Sequence, residues 1–139
     1  MRLLGRRSPV RVYVDAKILN MHDQSLPREA YVGYFVEGSG LHDVEMVKAE
    51  ESDDAEILAI IFAIRELKDS LGSFVVVCDH ESVVSEANRD MVKNPGELLR
   101  QLRQMLRENQ GNVKLVALQS NLAHQVVTEY VNALKSGVQ

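Results

Sequence analysis

The sequence predicts an α/β domain: a mixed five-stranded sheet in which strands one to three form an antiparallel meander, strands four and five add in parallel, and helices cover both faces. Three observations carry this. Two strand-like runs near the start are separated by Glu37-Gly-Ser-Gly40, a tight-turn signal between hairpin partners. Phe74-Val-Val-Val-Cys78 is continuously apolar, as expected of a strand covered on both faces. From residue 53 onward, helical periodicity alternates with such apolar runs, and β–α crossovers favour parallel addition.

The elements follow in order. Residues 10–18 read as the first strand and the polar stretch Asn20 to Glu29, with Asp23, Ser25 and Pro27, as a loop. Residues 30–36 and 42–49 read as a hairpin. Over residues 53–69, Ile57, Ile60, Ile61, Ile64 and Leu67 recur at helical spacing, and Leu71-Gly72 closes that helix. Asp53 followed by Glu56 has the capping-box pattern for its start. Residues 74–78 form the fourth strand and residues 80–89 a short helix, with a boundary at Asn94-Pro95-Gly96. Residues 97–109 form an amphipathic helix with Leu98, Leu99, Leu102, Met105 and Leu106 on one face. Arg100, Arg103 and Arg107 fall within about 60° of one another on the opposite face at 100° per residue. Residues 113–118 form the fifth strand and 121–135 the last helix, with Leu122, Val126, Tyr130 and Leu134 expected on its buried side.

With 139 residues, the chain fits one domain with a real core, spanning 1–139 with a flexible basic stretch at 1–9. No apolar stretch is long enough to span a membrane, and the basic start lacks the apolar centre of a signal peptide, so a cytoplasmic location is expected. The single cysteine, Cys78, excludes an internal disulfide and a cysteine-cluster zinc site, and it reads as a small core residue. A net charge of −4 argues against a strong non-specific nucleic-acid binder. It leaves a nuclease open, because clustered carboxylates lower net charge and a bound cation restores positive potential locally.

Four polar groups stand where apolar segments end or begin. Asp15 ends Val10-Arg-Val-Tyr-Val14, Glu56 opens Ala55–Ile64, Asp79 ends Phe74–Cys78, and His124 follows the run 113–118. Converging carboxylates suit a divalent cation, and divalent cations suit phosphate chemistry. Each group also has a plainer reading: Glu56 as half of the capping box, Asp15 and Asp79 as turn residues, His124 as a structural helix-start residue, the arginines as a solvated face. A carboxylate ending a wholly apolar strand fits the plainer reading less well, since burial without a partner is costly.

Taken together these motifs resemble the ribonuclease H family over about residues 10–135. The resemblance rests on Val12-Tyr-Val-Asp15 in the first strand, on Ala55-Glu-Ile-Leu-Ala59 at the first long helix, and on Val77-Cys-Asp-His-Glu81 after the fourth strand. It rests also on the pair Ala123-His124, where the family has Ala-Asp. The resemblance implies hydrolysis of phosphodiester bonds, in the RNA strand of RNA–DNA hybrids, by a two-metal mechanism using Mg2+ or Mn2+. Asp15, Glu56, Asp79 and His124 would be the catalytic and metal-holding set. Imidazole in the fourth position would favour manganese over magnesium, or serve to carry a proton. Arg100, Arg103 and Arg107 are candidate phosphate contacts. A binding module that keeps the fold without turnover, and a relative acting on DNA, are the competing readings.

Overall fold

A computed structural model of the chain describes residues 9–19, 28–119 and 121–136. Of the polar loop expected over 20–29, residues 20–27 lie outside the described residues, as does 1–8 of the basic start, while Arg28 and Glu29 belong to a strand. The elements run β1 (Val10–Ile18), β2 (Arg28–Val36), β3 (His42–Ala49), α1 (Ser52–Leu71), β4 (Phe74–Cys78), α2 (Glu81–Asn88), α3 (Glu97–Glu108), β5 (Val113–Ala117) and α4 (Ala123–Lys135). The sheet order is β3-β2-β1-β4-β5. β1 pairs antiparallel with β2 and β2 with β3, whereas β4 joins β1, and β5 joins β4, in parallel. The expected mixed five-stranded architecture is therefore the observed one.

Side-chain alternation along the strands assigns the two faces. Val12, Val14, Val32, Tyr34, Val36, Phe74, Val76 and Cys78 pack with Ile60, Ile64 and Leu67 of α1 in the main core. Leu99 and Leu102 of α3 close the same core from outside. The other face meets α4: Tyr13 and Val77 cluster with Ala123, and Tyr31 with Val127 and Val131. Asp15 shares the parity of Tyr13 and so stands on the α4 side of β1, while Glu56 rises from α1 on the opposite side.

Two expectations are corrected here. The buried stripe of α4 is Ala123, Val127 and Val131, one residue on from the predicted set. Leu122, Tyr130 and Leu134 are each more than two-fifths exposed, and Val126 is half-buried. Both stripes have the same four-residue spacing, so periodicity alone does not choose between them. The choice is made by β2, where Gly33 leaves room for the helix: a Cβ built there would lie 2.7 Å from Val127 Cγ2 and 3.1 Å from the Asp43 carbonyl. The capping box is also absent. Glu51 is the N-cap of α1 and makes no side-chain capping bond, and Asp53 instead meets His80 Nε2 at 3.0 Å. No helix among the described residues is long and apolar enough to cross a membrane.

Candidate active site

β1 and β4 run side by side only as far as the pair Tyr13↔Val77. Beyond it β4 stops at Cys78, whereas β1 continues to Ile18 in register with β2, Asp15 opposite Gly33. β1 is also the strand at which the sheet changes from antiparallel to parallel neighbours. In open α/β sheets the crevice beyond the carboxyl ends of the strands at such a reversal is where ligands bind. The N-terminal ends of α1 and α4 flank this crevice.

Asp15, 6% exposed, and Glu56, 9% exposed, are the buried charged residues among the described residues. Asp15 Oδ2 lies 3.0 Å from His124 Nδ1, so an ionised Asp15 accepts the imidazole N–H, although the His124 side chain itself is largely exposed. Glu56 Oε1 accepts from Cys78 Sγ at 3.7 Å, and ligand atoms of Glu56, Cys78 and Asp79 all lie within 4.8 Å of one another. Asp79 Oδ2 accepts from Asn121 Nδ2 at 3.1 Å. Asp15 stands outside the 4.8 Å group but close enough that its charge, with that of Asp79, acts on Glu56.

The electrostatics follow from burial. Loss of solvent, then the charges of Asp15 and Asp79, push the Glu56 carboxyl up to about 8 from an ordinary 4.5. Asp15 is also raised, by burial first, with the His124 and Ala16 hydrogen bonds opposing. Among the described residues, no lysine or arginine shifts either carboxyl. Burial lifts the Cys78 thiol to about 12, so it is a protonated hydrogen-bond donor here, consistent with a core thiol. A cluster of three carboxylates, two of them buried and, among the described residues, faced by no lysine or arginine, is a donor set that fits divalent cations.

The arginine stripe divides. Arg103 turns inward: its guanidinium donates to the carbonyls of Glu86, Ala87, Arg89 and Asp90, and so caps the end of α2. The Arg103 guanidinium is thus engaged with protein carbonyls. Arg100 pairs with Glu97, and Arg107 donates to Gln104 at 3.0 Å, both on the exposed side of α3. Asn121 was absent from the predicted set. Its only sequence signal is its type and place, an Asn two residues before a helix, where side-chain capping is common.

No family model and no curated protein matches the sequence. Solved structures do. The chain is similar to the LC11 ribonuclease H1 isolated from compost by a metagenomic approach, with a TM-score of 0.68 at 17% identity over 94% of this chain and 99% of that one. The chain has the ribonuclease H fold. Ribonuclease H1 from the halophilic archaeon Halobacterium salinarum superposes with a TM-score of 0.65 at 19% identity, over 91% of this chain and 98% of the other. The foamy viral protease-reverse transcriptase, solved in complex with an RNA/DNA hybrid, matches over 93% of this chain and 20% of its own length, with a TM-score of 0.64 at 14% identity. The ribonuclease H fold thus spans nearly the whole chain, and the crevice between α1 and α4 lies at the carboxyl ends of its central strands.

Proposed function

We propose that this protein is a metal-dependent endonuclease that hydrolyses phosphodiester bonds, with the RNA strand of RNA–DNA hybrids as its substrate. The observation that carries the reading is the cluster of Asp15, Glu56 and Asp79 at the splayed ends of β1 and β4, with Asp15 and Glu56 buried and no lysine or arginine among the described residues to balance it. Asp15 would be shared between two divalent ions, Mg2+ or Mn2+; Glu56 and Asp79 would hold one and His124 would complete the other. When bound, such ions supply charge stabilisation for the attacking water and the departing oxygen.

The chain's own residues supply the rest. Asp15 and Glu56 hold their carboxyl groups in a low-dielectric wall, where Glu56 keeps its proton near neutral pH unless a cation is bound. Alternatively His124, exposed on one side and hydrogen-bonded to Asp15 on the other, would hold no ion and would pass a proton between solvent and the crevice. Arg100 and Arg107 remain candidate phosphate contacts on exposed ground.

One observation favours a second reading, a binding module without turnover. With Arg103 committed to α2, the basic surface of α3 is smaller than the sequence suggests, and substrate grip is correspondingly weaker. Incubating the protein with labelled RNA–DNA hybrid, duplex DNA and duplex RNA, with Mg2+ or Mn2+, separates the readings. Cleavage of the RNA strand of the hybrid supports the nuclease. Binding of hybrid without cleavage in either ion supports the module.

A further inference from the structure

Asn121 holds three parts of the crevice with one side chain. Its Nδ2 donates to the Val14 carbonyl at 2.8 Å and to Asp79 Oδ2 at 3.1 Å. Its Oδ1 accepts from the Ala123 backbone N–H at 2.9 Å, and its carbonyl accepts from the His124 N–H at 3.3 Å. Val14 lies one residue past the last β1–β4 pair, Tyr13↔Val77. The amide therefore bridges the two strands where their own ladder has ended, immediately beside Asp15 on one strand and on Asp79 itself on the other. The same residue opens α4 and so fixes the turn that carries His124.

We infer that Asn121 is a positioning residue that sets the separation of Asp15 and Asp79, and with it the spacing of the cation positions they would hold. The inference rests on the metal-dependent reading above. Asn121 touches no reacting atom; it acts through Asp79 and through the strand end that bears Asp15. Without Nδ2, the Val14 carbonyl and one Asp79 oxygen lose a donor, the strand ends are free to drift, and the carboxylates no longer meet at a fixed distance. Partners one layer out from metal-holding groups typically matter at the level of about 10–100-fold in metal affinity or activity.

Capping and bridging are separable. Asn121→Ser keeps an oxygen to accept the Ala123 N–H and removes the bridging donor; Asn121→Asp does the same with a carboxylate. Asn121→Ala removes both. Mn2+ binding is measured by calorimetry on the full chain, alongside kcat and KM for hybrid cleavage. The expected result is Mn2+ affinity lowered by about tenfold or more in the Ser, Asp and Ala variants. The loss in turnover should appear in kcat with KM little changed, and only the Ala variant should lose thermal stability clearly. Ser and Asp variants that match the wild type in Mn2+ affinity and kcat would leave a plain helix cap and overturn the inference. A wild type that cleaves nothing, but whose Mn2+ affinity still falls in the Ser variant, would overturn the nuclease reading and leave the positioning role standing. A wild type that binds no Mn2+ would overturn both.

Discussion

Glu56 carries the plainest physical conflict in the chain. Its carboxyl sits at the N-terminal part of α1 between core and crevice, raised to about 8 by burial and by its acidic neighbours. The folded state therefore holds this proton more tightly than the unfolded chain, whose carboxyl titrates near 4.5. Stability from this group is full below the unfolded value and falls as pH rises through the window from 4.5 to about 8. In metal-free buffer, urea unfolding should show a protein less stable at pH 8 than at pH 5, by on the order of a few kcal/mol. Glu56→Gln should flatten that dependence and raise stability at pH 8. A Gln variant as pH-dependent as the wild type would show that Glu56 is not the group responsible. Millimolar Mg2+ or Mn2+ should restore stability to the wild type at pH 8, because a ligand that binds only the folded state stabilises it.

Among elements, α4 shows most clearly what periodicity leaves open. Its positions 122, 126, 130 and 134 are as regularly apolar as 123, 127 and 131, yet the second set is buried. The deciding contact is Val127 against Gly33, a pairing between segments far apart in sequence that no local pattern encodes. Gly33→Ala would place a methyl group against a β-branched side chain and a backbone carbonyl, so the helix must shift; a loss of about 1–3 kcal/mol is expected. Because Gly33 pairs with Asp15, the His124–Asp15 contact should loosen too, visible as a changed His124 ring signal by NMR. An unchanged midpoint would contradict the close packing. By contrast Val131→Ala should cost about 2 kcal/mol while Leu134→Ala, on the exposed stripe, should stay within about 0.5 kcal/mol. For α3, removing the Arg103 guanidinium leaves four carbonyls short of a donor. Arg103→Ala should destabilise by about 2 kcal/mol, while Arg107→Ala leaves stability near wild type.

At the scale of the whole molecule, the strands and their order were legible because continuous apolar runs and crossovers leave few topologies. Asp15 and Glu56 were legible as carboxylates set in apolar surroundings, where burial demands a partner or a ligand. Asn121 was not, because it reaches Val14 across 107 positions of sequence and its type is common in ordinary turns. The bonds of Arg103 to the end of α2 were not legible, because a helical wheel gives a direction but not whether a neighbouring helix end waits there for a donor. The capping box at Asp53 and Glu56 matched in spacing, but Glu56 turns to Cys78 and Asp53 to His80. The carboxylate cluster at the splayed ends of β1 and β4 is proposed to make this ribonuclease H fold a working nuclease. The most direct test is cleavage of an end-labelled RNA–DNA hybrid by the wild type and by Asp15→Asn, in Mn2+ and in Mg2+. RNA-strand cleavage by the wild type is expected, favoured by Mn2+, with a loss of at least about a hundredfold in the variant. Equal cleavage by the variant, or none by a wild type that binds both ions, would contradict it.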